Sequence, residues 1–228
     1  MTWDEIFEAY YNLYRAESDT PASTDEEYTI GLRLANEAIN RWHRYDNTYW
    51  KELFNTLILA DDGDKTITTS DVEYDAPSDM QEYGGSVKVI DANSKVVQRY
   101  PIIEPHEAQF RGDDSTHAYF TGDPSNDYVL HLNPAPSSAL SGLRLDYVYY
   151  KEPTLFTTGS DVAEMSNPYF IVHRMLAQRF RVSRNYSAYQ TAFRDAEDAL
   201  KNMQLVNNSG SWANPFKLPD RSGSQFGV

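Results

Sequence analysis

Apolar side chains recur every three or four residues in the stretch between Ser183 and Val206. The series consists of Tyr186, Tyr189, Phe193, Ala196, Leu200 and Met203. This spacing places six side chains on one face of an α-helix, whereas a strand repeats every two residues. The sequence therefore predicts a long amphipathic helix in this part of the chain.

The N-terminal part of the chain has the same helical spacing. Thr2 and Glu5 match a capping box, the pattern that begins many helices. The apolar face that follows consists of Trp3, Ile6, Tyr10 and Leu13. A second helix begins near Thr24 and buries Tyr28, Leu32, Ala35, Ile39 and Trp42. We expect the helical pattern to continue, in a bent or separate helix, from Asp46 to Leu57.

The middle of the chain has a strand pattern instead. From Lys65 to about Lys151, short β-prone runs alternate with Gly, Pro, Asn and Asp. The period of two is clearest in Leu143, Leu145, Tyr147 and Tyr149, and it recurs in Tyr128, Leu130 and Leu132. Weaker strands are predicted at 87–90, 96–103 and 118–121. These runs indicate a small antiparallel sheet folded into a barrel or a sandwich.

The predicted fold class is α+β: a helical bundle of N- and C-terminal helices with a central antiparallel β insertion and an extended C-terminal arm. The expected boundaries are 1–60 for the N-terminal helical part of the body, 61–160 for the β insertion, 161–206 for the C-terminal helices and 207–228 for the arm. The arm is rich in Ser, Gly, Asn and Pro, so it lacks the residues for a core of its own. A helix that begins after Pro168 completes the body.

Charge and composition exclude several classes of protein. The chain has no cysteine, which excludes disulfides, thiol catalysis and Cys-ligated zinc. Its net charge of −14 opposes binding to the DNA backbone, which relies on Lys and Arg. The first residues lack a signal peptide, and no apolar stretch is long enough for a bilayer. We expect a soluble cytoplasmic protein without a membrane partner.

The known motifs do not select a catalytic, cofactor or metal site. His106 and Glu107 begin like a zinc-protease motif, but Phe110 stands where the second His is required. The acidic run at 61–64 lacks the alternating ligands of a calcium loop. The sequence also has no phosphate-binding loop and no nucleophile elbow. We therefore expect no enzyme activity, no cofactor and no metal.

Several segments together resemble a known family. They are 36–42 (NEAINRW), 118–122 (AYFTG), 130–134 (LHLNP), 146–151 (DYVYYK), 161–169 (DVAEMSNPY) and 195–197 (DAE). Their order is similar to that of head–tail connector (adaptor) proteins of tailed bacteriophages. The resemblance spans most of residues 1–206 and consists of packing and turn residues.

The resemblance implies a structural virion protein. Its copies would form a ring, with twelve copies as the expected number, between the portal protein and the tail or nozzle proteins. The genome would pass through the ring without specific binding, and the subunit would be made in the host cytoplasm and end in the neck of the virion. In such proteins the C-terminal arm reaches the portal, which would give Trp212, Phe216, Leu218 and Phe226 a docking role.

Four arginines form a second candidate surface, namely Arg174, Arg179, Arg181 and Arg184. They would pair with acidic residues of a neighbouring subunit, or else form an exposed basic face. Two other functions stay open at this point. One is a neck or tail-completion protein; the other, suggested by the Tyr-rich β region, is a carbohydrate-binding module or a glycosidase.

Overall fold

The computed structural model describes residues 1–15, 20–57, 65–69, 71–112, 115–123 and 125–209. Within these residues there are five α-helices: α1 (Trp3–Arg15), α2 (Glu26–His43), α3 (Pro105–Ala108), α4 (Tyr169–Val182) and α5 (Tyr186–Ser209). The seven strands are β1 (Phe54–Thr56), β2 (Glu73–Asp75), β3 (Met80–Ile90), β4 (Val96–Pro101), β5 (His117–Gly122), β6 (Tyr128–Asn133) and β7 (Arg144–Lys151). The α+β class is confirmed.

The chain divides into two compact units. The helical unit contains Met1–Glu52 and the described residues from Pro153 onwards, and the β unit contains Leu53–Glu152. No helix among the described residues is both long and apolar enough to cross a membrane.

Helix α4 is the centre of the helical unit, because it packs against α1, α2 and α5. Its buried side chains are Phe170, Ile171, Val172, Met175, Leu176 and Ala177. A helix that contacts three neighbours must be apolar on more than one side, which explains this run.

The start of α1 confirms the predicted capping box. The backbone N–H of Thr2 donates to Glu5 Oε2 at 2.8 Å, and the backbone N–H of Glu5 donates to Thr2 Oγ1 at 3.3 Å. Trp3 is completely buried, and its ring lies 5.6 Å from the ring of Phe156. Leu13, which the spacing placed on the buried face, is instead 58% exposed.

The helix predicted from Asp46 to Leu57 was wrong. The structure has 3-10 turns at Tyr45–Asn47 and Lys51–Leu53, followed by β1. Asp46 and Asn47 have φ values of 50° and 48°, in the left-handed region, so a right-handed helix cannot continue through them. The apolar spacing serves tertiary packing instead, since the Trp50 indole N–H donates to the carbonyl of Trp42 at 2.8 Å.

Helix α5 has the predicted length of 24 residues, but it begins and ends three residues later than predicted, and it is fixed near its C-terminal end. It continues past Val206 to Ser209. The Asn207 side-chain amide donates to the carbonyl of Tyr49 at 2.8 Å and accepts from the backbone N–H of Lys51 at 2.9 Å. Gln204 also donates to Thr48 Oγ1 at 3.0 Å. These bonds attach the last turns of α5 to the segment that follows α2.

The β unit contains two antiparallel sheets, in the orders β1-β7-β3-β4 and β2-β6-β5. Their apolar faces share one core, where Phe120 of β5 lies 5.3 Å from Tyr147 of β7 and 4.4 Å from Tyr83 of β3. The described strands therefore form a sandwich and do not close into a barrel. The five runs expected as strands are confirmed as strands, whereas β1 and β2 were not expected.

Candidate interaction surfaces

The arm residues proposed for docking lie outside the part of the chain that the structure describes. Trp212, Phe216, Leu218 and Phe226 all follow residue 209. The four arginines lie within it, on α4 and in the turn after it. The structure separates these arginines into two pairs.

Arg179 binds residues of its own helical unit. Its Nε donates to the hydroxyl of Tyr10 at 3.0 Å, its guanidinium forms an ion pair with Glu27, and it lies 5.4 Å from the centre of the Tyr14 ring. Burial raises the pKa of Tyr10 to about 12, so this hydroxyl stays protonated at neutral pH. Arg179 therefore joins α4 to α1 and α2.

Arg174 is also largely covered. Its guanidinium lies 4.0 Å from a carboxylate oxygen of Glu197 and 5.5 Å from the ring centre of Phe193. Burial lowers the pKa of Arg174, although Arg remains charged at any physiological pH. This pair joins α4 to α5, and both side chains are only 19% exposed.

Arg181 and Arg184 differ from the other two because both are exposed and neither has an ion pair with a described residue. They lie at the turn between α4 and α5, where Arg184 has a φ of 58°. Val182 is 78% exposed and Tyr186 is 64% exposed in the same turn. We call Arg181, Val182, Arg184 and Tyr186 the turn surface.

The first turns of α5 extend the apolar character of the turn surface. Phe193 is 37% exposed and Tyr189 is half-buried, whereas Ala196 and Leu200 further along the same face are completely buried. The predicted apolar stripe is therefore present, but only its C-terminal half is covered within the helical unit.

An acidic cleft lies elsewhere in the helical unit, beside the N-terminal half of α1. Its lining consists of Asp4, Phe7, Glu8, Thr20, Pro21, Ser23 and Tyr28. The Tyr28 hydroxyl donates to Asp4 Oδ1 at 2.7 Å. Burial, and then this hydrogen bond, raise the pKa of Tyr28 to about 12. Glu8 is exposed and has no ion pair with a described residue, so its charge is available to a partner.

Several of the tyrosines that suggested sugar binding belong to the core of the β unit. Tyr100, Tyr147 and Tyr149 are at most 2% exposed. On the outer face of the β2-β6-β5 sheet, His131 stacks on Tyr119 with ring centres 4.6 Å apart. Among the described residues, no group of three His, Asp or Glu side chains is placed to hold a metal ion.

A family model described as SU10 adaptor protein matches residues 1–219. The match covers nearly the whole chain. The chain belongs to the SU10 adaptor protein family. No curated protein matches it. The resemblance to head–tail adaptors of tailed phages is confirmed, and the family is a structural one rather than a class of enzymes.

Membership of the SU10 adaptor family makes the chain a virion component that interacts with other head or tail proteins. Arg181 and Arg184 were predicted from the sequence as candidate interface residues, whereas their exposed neighbours Val182 and Tyr186 were not. The signal was present, because Val182 immediately precedes the helix break at Ser183 and Tyr186 follows it.

Proposed function

We propose that this SU10 adaptor family member is the subunit of a ring that connects the portal to the tail. The observation that carries the proposal is the family match over residues 1–219. The ring would contain twelve copies and lie in the neck of the virion, after assembly in the host cytoplasm. We assign it no catalytic reaction and no cofactor.

The charge of the chain supports a role as a DNA conduit. A subunit with a net charge of −14 lacks the cationic surface that would hold DNA phosphates. An acidic ring thus allows the genome to pass without retaining it. The same charge makes copies repel each other, so the ring needs specific contacts to close.

The four arginines have different tasks in this proposal. Arg174 and Arg179 bind Glu197 and Glu27 of their own subunit, which fixes the helices that carry the interface. Arg181 and Arg184 are exposed and would contact the neighbouring subunit in the ring.

The C-terminal arm would attach the ring to the portal. Trp212, Phe216, Leu218 and Phe226 are large apolar residues separated by polar ones, as expected of a segment that orders on a partner. The structure defines where the arm should be cut to test this, because α5 and its bonds to 48–51 end at Ser209.

The test is assembly of portal-containing heads with the full chain and with a chain that ends at Ser209. The shortened chain should fold normally but fail to attach. Within the full chain, Trp212→Ser with Phe216→Ser should have the same effect, while the control Lys217→Ser with Asp220→Ser should attach normally. Normal attachment of the shortened chain would refute the docking role.

Imaging of the assembled particle separates this proposal from the alternative. An adaptor contacts the portal, whereas a neck or tail-completion protein contacts only tail components. A density for this chain against the tail tube, with no portal contact, would favour the alternative.

A further inference from the structure

The turn surface combines exposed apolar side chains with exposed arginines. Val182 and Tyr186 are 78% and 64% exposed, and beside them lie Arg181 and Arg184, which form no ion pair with the residues that the structure describes. Aromatic and Arg side chains are enriched in the buried centres of protein interfaces. The two exposed arginines of this turn have the opposite charge to the chain as a whole, which has a net charge of −14.

The acidic cleft is complementary to the turn surface in charge and in apolar character. Its lining includes the acidic residues Asp4 and Glu8 together with Pro21, Phe7 and Tyr28. It encloses about 320 Å³, which is within the usual size of small binding clefts. Such a cleft can receive an aromatic side chain while its carboxylates pair with a guanidinium.

Within one subunit the end of α4 and the cleft lie beside different parts of α1. The rings of Tyr14 and Phe180 lie 5.9 Å apart, so the end of α4 lies beside the C-terminal half of α1. The cleft lies at Asp4 and Glu8, in the N-terminal half. Ten residues of helix separate Asp4 from Tyr14, which corresponds to roughly 15 Å.

We propose that the turn surface of one copy docks in the acidic cleft of a second copy, with Tyr186 against the cleft and Arg181 and Arg184 facing Asp4 and Glu8. The contact joins two different patches of the same chain. Such a contact is head-to-tail, and it produces a ring when the rotation closes. This inference rests on the proposed ring and identifies its subunit contact.

The absence of cysteine from the chain makes a cross-linking test specific. A chain with Arg181→Cys is mixed with a chain with Glu8→Cys on portal-containing heads and treated with a short bismaleimide. Covalent dimers should form, and a chain with both cysteines should form a ladder of larger products. The control pairs Arg194→Cys, an exposed position on α5, with Glu8→Cys. Dimers no more abundant than in the control would overturn the proposal.

Charge reversal gives a second and independent readout. Arg181→Glu should weaken subunit association at least about tenfold, as expected for a charge reversed at an interface. Glu8→Arg should do the same, and the two changes together should restore most of the association. Arg194→Glu is the matched control and should have little effect. If the chain that carries both Arg181→Glu and Glu8→Arg shows no recovery of association, the proposed contact is wrong.

The two proposals fail in different ways. If the unaltered chain forms no ring and does not attach to portal-containing heads, the proposed function itself is wrong. If the unaltered chain forms rings, and the Arg181→Glu chain forms them equally well, only the contact inferred here is wrong.

Discussion

Gly31 of α2 is required by a neighbouring ring rather than by its backbone conformation. A Cβ atom at this position would lie 2.5 Å from Cε2 of Phe7 and 3.4 Å from the Trp3 ring. Both rings are buried and cannot move away. Ala favours a helix over Gly by about 1 kcal/mol, but overpacking of a buried site costs about 1–3 kcal/mol. Because the clash outweighs the gain in helix propensity, Gly31→Ala should destabilise the protein.

We predict that Gly31→Ala lowers the free energy of unfolding by about 1–2 kcal/mol, which is an overpacking cost in the upper half of its range less the gain in helix propensity. Denaturant unfolding followed by the helical signal measures the change. The control is Phe7→Leu, a smaller side chain at the clash. In a chain that already contains Phe7→Leu, Gly31→Ala should lower the free energy of unfolding by less, because the two sites are coupled. Equal costs in both backgrounds would contradict the steric explanation.

Asn36 forms hydrogen bonds that attach the chain at Phe156 to the side of α2. Its amide donates to the carbonyl of Phe156 at 3.0 Å, and its carbonyl oxygen accepts from the backbone N–H of Phe156 at 2.9 Å. Asn36→Ala leaves both backbone groups without this partner, so we expect a loss of about 2–3 kcal/mol in unfolding free energy. Asn40→Ala, one turn later on the same helix and exposed, should change it by less than about 0.5 kcal/mol. Similar losses for both would show that Asn36 has no special role.

Asp161 is the clearest source of pH dependence in the helical unit. Its carboxylate accepts hydrogen bonds from the backbone N–H groups of Thr158 and Thr157, and from both hydroxyls. These bonds hold the pKa of Asp161 well below its usual value. The stabilisation is complete above the unfolded pKa of about 3.9 and is lost as the pH falls through the lower folded value.

NMR titration of the Asp161 carboxyl should accordingly give a pKa below the ordinary range. Asp161→Asn should be less stable at neutral pH and should lose less stability than the unaltered chain when the pH falls below about 4. An unshifted titration, or parallel pH profiles for the two chains, would be inconsistent with this role of the loop.

At the level of elements, the last residues of α5 contribute to the stability of the helical unit. Asn207 forms two bonds to the 49–51 segment, so a chain that ends at Val206 loses both. We predict that this chain is less stable than one that ends at Ser209 by about 1–3 kcal/mol, and that the latter matches the full chain. Thermal unfolding of the three chains measures the difference. Asn207→Ala in the full chain should reproduce the loss if the amide is its cause.

Periodicity predicted the elements that bury one continuous face. α1, α2 and α5 were expected for this reason, and so were the longer strands of both sheets, because their apolar spacing is set by the element itself. The start of α4, which is apolar on more than one side, was predicted from Pro168 instead. A helix was wrongly predicted from Asp46 to Leu57 because Trp50, Leu53 and Leu57 have helical spacing. The left-handed conformations of Asp46 and Asn47 decide against a helix, and Asp and Asn adopt that region more readily than most residues. Strands β1 and β2 have three residues each, too few to show a period.

The candidate interface could be predicted only in part. Spacing placed Tyr186, Tyr189 and Phe193 on the apolar face of α5, but spacing does not show how far the neighbouring helices extend along it. In the same way, the sequence could not separate Arg179, which binds Tyr10 and Glu27, from the exposed Arg181. That difference depends on contacts between residues far apart in the chain.

At the scale of the whole molecule, attraction between copies must overcome their common negative charge. The proposed contact does this by bringing a cationic turn to an acidic cleft around an aromatic side chain. Salt therefore has two opposing effects on assembly, since it screens the general repulsion and also screens the Arg–carboxylate pairs. Which effect dominates is determined by distance, because pairs in contact are stronger than repulsion between the separated charges of two subunits.

We predict that association between subunits weakens by roughly 2–30-fold between about 0.1 M and 1 M salt, since each partly exposed ion pair contributes about 0.2–1 kcal/mol and two such pairs form. Sedimentation of the full chain with its portal over this range measures the change. The Arg181→Glu chain has one pair fewer and should respond less steeply, while Arg194→Glu should follow the unaltered chain. Association that strengthens with salt would mean that general repulsion, rather than the Arg–carboxylate pairs, limits closure of the ring.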